Sequence, residues 1–259
     1  MRIVLKLGGN VVLDPEQVRL VAAECRALRA AGHNVVIVHG GGPQIDQALA
    51  SLGETVHKID GLRVTSPAAA AVVLRVMDQI GAELSKQLAT HGLATFHMPA
   101  AQRTFEAQVK KVPGGDLGRV GAVTRFAGAV AVLATPTHVP VVTPVGFDAA
   151  GALNVNADEG ACAVAASIRC EWLVLATDVS AVRGSDGMTL SRLTPPQARA
   201  LVGNAATGGM IPKLHGAVAA IEAGVARVLI TRLSAGTLQN AVVHGRADGT
   251  LVEAGLAGP

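Results

Sequence analysis

Hydrophobic residues along this chain fall into short unbroken runs separated by stretches of helical periodicity. Ile3-Val4-Leu5 opens the first run, Val35-Val36-Ile37-Val38 is wholly β-branched, and Val139–Val145, Trp172–Ala176 and Val228–Ile230 repeat the theme. Runs this short and this apolar predict strands covered on both faces, as in a parallel sheet. Between the first two, Val18, Val21, Ala22, Cys25 and Leu28 recur at helical spacing behind an Asp14-Pro15 start and stop at Gly32. Strand, helix and strand in that order predict a βαβ unit with a right-handed crossover. A second stripe, Val72, Val73, Val76, Ile80, Leu84 and Leu88, runs from a Ser66 cap to His91-Gly92 and predicts a long helix packed on the sheet.

From Ala94 to Phe126 the pattern breaks up. Short alternating pieces, Phe105–Val109 and Val120–Thr124, flank Pro113-Gly114-Gly115-Asp116 and predict short antiparallel ribbons, or a lid, outside the main sheet. An alanine-rich helix to about Ile168, a helix opened by Thr194-Pro195-Pro196-Gln197, a long helix through Ala223 and strands at Val228–Ile230 and Thr250–Val252 complete the pattern. No fixed-period repeat or disordered linker interrupts it, so the two lobes should share one continuous sheet divided near residue 170.

Composition narrows the function. The 259 residues are 50% hydrophobic but only 2% aromatic, with no Tyr, so the core is built from Val, Ala and Leu. That excludes the stacking platforms of single-strand and RNA binders. A net charge of +3, from 22 basic and 19 acidic residues without long blocks, fits a small anionic ligand as well as anything larger. Cys25, Cys162 and Cys170 lack metal-type spacing and sit in apolar or helical contexts, so they are expected as buried thiols. The chain opens directly in a strand and holds no apolar run of membrane-spanning length, so the expectation is a soluble cytoplasmic protein with no nucleic-acid or membrane partner.

Candidate chemistry gathers at strand ends. Lys6, inside the first apolar run, is either a snorkelling lysine or a phosphate handle, and Gly8-Gly9 after it removes side chains where backbone N–H groups can approach an anion. The second strand runs into His39-Gly40-Gly41-Gly42-Pro43, glycines before a helix N-terminus and a second ready anion site. Neither is a Rossmann fingerprint or a P-loop. Arg63, expected on a loop, is either a bidentate carboxylate clamp or a surface arginine without a partner. In Asn154-Val155-Asn156-Ala157-Asp158, alternation puts both amides on one side of a strand, and Asp158 is placed to cap the next helix. Paired amides on an inward face are costly unless a polar ligand meets them. Lys213 near a helix start conflicts with the helix dipole, a conflict that a bound polyphosphate would remove.

Taken in order, Lys6–Asn10, His39–Gln44, Gly61–Thr65, Asn154–Asp158, Thr177–Ser180 and Gly208–Lys213 resemble the amino acid kinase family, within it the branch that phosphorylates N-acetyl-L-glutamate; Asp116–Gly121 also resembles the family's segment after its lid. The resemblance implies an α/β fold, a three-layer αβα sandwich with an open, mainly parallel sheet. It implies one domain over 1–259, with an acyl amino acid lobe at about 1–170 and a lobe for ATP with Mg2+ at about 171–259. It implies that Lys6 and Lys213 neutralise the transferring phosphoryl group and that Asp158 holds both lysines. Gly8, Gly9, Gly41 and Gly42 would offer N–H groups, the last two toward the acceptor. Arg63, Asn154 and Asn156 would bind N-acetyl-L-glutamate. Asp178, Ser180, Arg183, Thr207, Gly208 and Gly209 would lie by the nucleotide, with no protein-held metal, and His39 would be structural.

A carboxylate acceptor is already ionised at neutral pH, so such a kinase needs positioning and cations rather than a general base. His97–Arg103 stands where the family has a Ser-Gly-x-Asp-Gly-like stretch bordering the acyl pocket, and Thr231–Ser234 departs from the family pattern near the end of the nucleotide lobe. Met1 directly precedes the first strand, without the helix that hexameric arginine-inhibited relatives use, so the expectation is a homodimer without arginine feedback. Two alternatives remain: a kinase of carrier-protein-bound aminoadipate or glutamate, for which Lys110-Lys111 is a hint of a docking rim, and a non-catalytic sensor on the same fold.

Overall fold

The computed structural model describes residues 1–113, 115–133 and 137–255. The chain begins β1 (Arg2–Leu7), α1 (Gly9–Leu13), α2 (Pro15–Ala30), β2 (Asn34–His39), α3 (Gly42–Ala50), β3 (Lys58–Ile59), β4 (Leu62–Arg63) and α4 (Pro67–Thr90). It continues through β5 (Thr95–Met98), β6 (Phe105–Val109), β7 (Val120–Phe126), α5 (Ala129–Leu133), β8 (Val139–Val142), β9 (Val145–Asp148), β10 (Gly151–Val155) and α6 (Ala157–Ser167). The last third holds β11 (Trp172–Ala176), β12 (Val182–Arg183), β13 (Thr189–Leu190), β14 (Arg192–Leu193), α7 (Pro195–Asn204), α8 (Met210–Glu222), β15 (Arg227–Thr231), α9 (Thr237–Val242) and β16 (Thr250–Glu253).

One 8-stranded sheet runs through the molecule in the order β14-β16-β15-β11-β1-β2-β8-β5. Its pairings are parallel except β15 with β16. The apolar runs alternate across it: Val4, Val36, Val38, Leu173 and Leu175 pack with α6, α7 and α8 on one face. Ile3, Leu5, Leu7, Ile37 and Val174 pack with α2, α4 and α9 on the other. Each such buried aliphatic side chain contributes about 1.5–3 kcal/mol, so the doubly covered sheet is the rigid base of the molecule. Helix starts match their sequence signals, with Asp14 accepting from the N–H groups of Glu16 and Gln17, Ser66 from Ala69, and Thr194 paired with Gln197 in a capping box.

Three expectations change. Thr95–Met98, expected outside the main sheet, is its edge strand β5, parallel to β8. Val139–Val145 is not one strand: Pro144 cannot donate a ladder hydrogen bond, and the run splits into β8 in the sheet and β9 elsewhere. The expected antiparallel ribbons are a closed barrel, β10-β7-β6-β9, in which β6–β9 and β7–β10 are parallel. Closure removes exposed edges, which free ribbons would leave. Gly114 of the expected lid turn lies outside the described residues. Cys25, Cys162 and Cys170 are buried and free, and no helix among the described residues is long and apolar enough to cross a membrane.

Candidate functional site

The carboxyl ends of β1 and β2, in the middle of the sheet, open into a cleft of about 370 Å³. Gly8 and Gly9 line it after β1, and Gly40, Gly41 and Gly42 after β2. The expected glycine turn after β1 is tighter than a loop, because Gly9 already begins the short helix α1. The two glycine segments press together: a Cβ on Gly9 would stand 2.7 Å from Pro43 Cδ and 3.0 Å from the Gly42 nitrogen. Bare backbone at that junction is a steric requirement.

Lys6 is 5% exposed and Asp158 4%, and the Lys6 ammonium stands 2.8 Å from Asp158 Oδ1. Lys213 Nζ reaches the other oxygen, Oδ2, at 3.3 Å, and also approaches the Gly209 carbonyl at 3.4 Å. One carboxylate thus gathers a lysine from each half of the chain, and one net positive charge remains beside the glycines. Burial pushes the Lys6 ammonium below the usual lysine range, opposed by the Asp158 charge and reinforced by that of Lys213. Burial pushes Asp158 up, but the charges of Lys6 and Lys213 outweigh it and hold the carboxyl below its ordinary value.

The helix cap is a correction. Asn156, beyond the end of β10, is the N-cap of α6, its Oδ1 accepting from the N–H groups of Asp158 and Glu159. Asp158 lies inside the first turn, which frees its carboxylate for the lysines. Asn154 is on β10 and donates from Nδ2 to Thr65 Oγ1 at 3.0 Å, and Thr65 in turn donates to the Arg63 carbonyl at 2.7 Å. The Thr65 backbone pairs with the Asp116–Gly121 motif through Leu117 O and Arg119 N. Gly118 is fixed there by its left-handed φ of +63°, and a Cβ would fall 2.4 Å from Thr65 O.

Arg63 comes from β4 rather than a loop, and it is neither unpartnered nor an open fork. Its Nε donates to Asp46 Oδ1 at 2.9 Å, and Nη2 donates to the same oxygen and, at 3.0 Å, to the Gly42 carbonyl. Lys58, its cross-strand partner, reaches Asp46 Oδ2 at 3.0 Å. Asp46 and Lys58 are the residues that sequence reasoning missed. No motif connects position 46 with position 63; the Asp60-Gly61 pair, both at positive φ, was the available sign of a hairpin.

His39 is structural, as expected, and its bonds fix a proton arrangement. Nδ1 lies 3.3 Å from the Gly40 carbonyl, which only accepts, so that nitrogen carries the proton. Burial pushes its pKa down to about 4, so the ring is neutral and Nε2 accepts from the Thr143 hydroxyl at 3.1 Å. With that hydroxyl proton used, His97 Nε2, 2.8 Å away, donates to Oγ1. Gly81 makes room, since a Cβ there would lie within 2.8 Å of all three atoms.

Of the expected residues, Lys6, Gly8, Gly9, Gly41, Gly42 and Arg63 line the cleft, and so do Asn154, Asn156, Asp158, Asp178, Gly209 and Lys213. Ser180, Arg183, Thr207 and Gly208 do not line it and are exposed. Asp178 is anchored from the atypical Thr231–Ser234 segment, with Arg232 Nε donating to its carbonyl at 2.7 Å. Lys110, the hint of a docking rim, is turned inward, 2.5 Å from Glu159.

The model of the amino acid kinase family matches residues 1–232. The chain is 34% identical over 249 residues to the acetylglutamate kinase of Caulobacter sp. (strain K31), covering 88% of this chain and 82% of that protein. It is 32% identical over 265 residues to the acetylglutamate kinase of Nitrosospira multiformis, covering 97% and 90%. Among solved structures, a protein of Streptococcus mutans UA159 (smu.665) superposes with a TM-score of 0.82 at 29% identity, over 98% of each chain. The N-acetylglutamate synthase of Neisseria gonorrhoeae, complexed with coenzyme A and N-acetyl-glutamate, gives a TM-score of 0.84 at 22% identity, and this chain spans 59% of its length.

Proposed function

This chain belongs to the amino acid kinase family, and from that premise we propose that it transfers the γ-phosphoryl group of ATP to the side-chain carboxylate of N-acetyl-L-glutamate. The product is N-acetyl-L-glutamyl 5-phosphate, an intermediate of arginine biosynthesis. The observation that carries the reading is the convergence of Lys6 and Lys213 on Asp158 beside the glycine N–H groups. An acceptor oxygen attacks the γ-phosphorus, the bond to the ADP oxygen breaks, and no proton has to leave the acceptor. The obstacle is repulsion between two anions. Fixed ammonium groups and backbone donors offset it without reorganising, which is how such sites lower the barrier.

In this reading the half of the chain before residue 170 holds the acceptor, through Arg63, Asn154, Asn156, Gly41 and Gly42. The half after it holds ATP, with Asp178 and Gly209 in the cleft and the exposed Ser180, Arg183, Thr207 and Gly208 proposed to meet the nucleotide outside it. Mg2+ is proposed to accompany ATP, where it would offset charge on the phosphates. A carrier-borne acceptor is less favoured, because the Lys110 ammonium is already engaged by Glu159. We also propose a cytoplasmic homodimer, which light scattering tests against the 26.2 kDa monomer.

Incubation with MgATP and free N-acetyl-L-glutamate, with hydroxylamine present, should yield the hydroxamate in step with ADP. ADP release without hydroxamate, or no turnover, overturns the assignment.

A further inference from the structure

The Arg63 guanidinium offers a carboxylate less than its full fork. Asp46 Oδ1 takes Nε and Nη2, the Gly42 carbonyl takes Nη2 again, and Nη1 is the corner that neither of them occupies. The Arg63 side chain is 8% exposed, so its direction is set by these contacts rather than by solvent. Asp46 itself is on α3, the helix that begins at Gly42, and its second oxygen holds Lys58. Lys58 and Arg63 face each other across the β3–β4 hairpin and both line the cleft. One carboxylate therefore ties the hairpin to the glycine segment and aims the arginine.

Burial pushes Asp46 up, but hydrogen bonds from Arg63 and Lys58 bring it below the ordinary carboxylate range. The carboxylate is thus ionised at neutral pH and cancels one of the two cations. What it leaves to the acceptor is one net positive charge and one defined N–H corner.

We propose that Asp46 is a positioning residue for acceptor recognition: by holding Nε and Nη2 of Arg63 it presents Nη1 alone to the α-carboxylate of the acceptor. This rests on the functional reading above and adds to it the group that sets the arginine. Losing Asp46 frees the fork and costs acceptor affinity, because a guanidinium without a fixed direction must be ordered by each incoming acceptor. The α-carboxylate, which does not react, is then bound through Asp46-dependent geometry, while the reacting carboxylate and ATP are not.

The test is steady-state kinetics of Asp46→Asn, which keeps size and removes charge, with N-acetyl-L-glutamate, with N-acetyl-4-aminobutyrate lacking the α-carboxylate, and with varied ATP. KM for N-acetyl-L-glutamate should rise ~10–100-fold, the scale of one charge-assisted hydrogen bond. KM for ATP and kcat/KM for N-acetyl-4-aminobutyrate should stay within about 2-fold of wild type. Asp46→Glu, which restores the charge, should recover part of the loss and serves if the Asn variant folds poorly. An unmoved or lowered KM for N-acetyl-L-glutamate, or equal losses with both acceptors, overturns the role of Asp46. No product from wild type and N-acetyl-L-glutamate overturns the functional reading, and this inference with it.

Discussion

The ammonium of Lys6 stands 2.8 Å from the carboxylate of Asp158, and both side chains are almost sealed from solvent. A buried pair of this kind is weak evidence of stabilisation, since desolvation offsets most of the attraction. Its value is directional: it fixes a cation at the mouth of two glycine segments.

Asp158→Asn removes the charge that holds both lysines. kcat should fall by about two orders of magnitude or more, because mispositioned cations no longer track the moving phosphoryl group. Lys6→Arg should fall comparably, since the longer planar head cannot take the place of a compact ammonium held 2.8 Å from Asp158 in an almost sealed site. Initial rates at saturating substrates test both; a loss below 10-fold contradicts the assigned roles.

The pH dependence of the rate should carry the mark of Lys6. Burial lowers its pKa, and the ammonium is the useful form. The alkaline limb of kcat/KM, which reports the free enzyme, should therefore begin below the ordinary lysine value of about 10.4. A rate that stays flat to that pH would mean that Lys6 is not the required cation.

Acid stability has a separate reporter. Arg119 makes a bidentate pair with Asp148, Nη1 at 2.8 Å and Nη2 at 2.7 Å, and these hydrogen bonds hold the carboxyl at about 2. Its folded pKa is thus lower than its unfolded one, so its contribution is fully present above the unfolded value of about 3.9 and is lost as pH falls toward about 2. The difference in unfolding free energy between wild type and Asp148→Asn should be constant from neutral pH down to about pH 5 and shrink below about pH 4. Urea titrations across that range measure it; a gap that widens toward acid reverses the assigned sign.

The sheet was legible because doubly buried strands must be apolar throughout: Val35–Val38 and Trp172–Ala176 have no polar face to confuse them. Lys6, Gly41 and Lys213 were legible because charge or bare backbone at strand and helix ends demands a reason. What the chain hid depends on distant pairings. Val139–Val145 reads as one strand although its halves enter different sheets, and Asp46 carries no local sign that Arg63 will fold onto it. Asn156 and Asp158 are both acceptable caps, and only packing decides which oxygen faces the lysines.

Thr143 lets the sealed side of the glycine segment be tested apart from its chemistry. Its one hydroxyl serves two imidazoles, accepting from His97 Nε2 and donating to His39 Nε2. His39 is fully buried and donates its Nδ1–H to the Gly40 carbonyl, so no solvent replaces a lost partner at Nε2. Thr143→Val keeps the shape and strips both bonds, and an unsatisfied buried nitrogen costs about 1–3 kcal/mol. Thr143→Ser keeps the hydroxyl and gives up only a methyl group, a smaller loss of about 1 kcal/mol. Valine should therefore destabilise more than serine in equilibrium urea unfolding, even though it is the more apolar residue at a buried position. The reverse order would mean that the hydroxyl is a passenger and that the two histidines are held by packing alone.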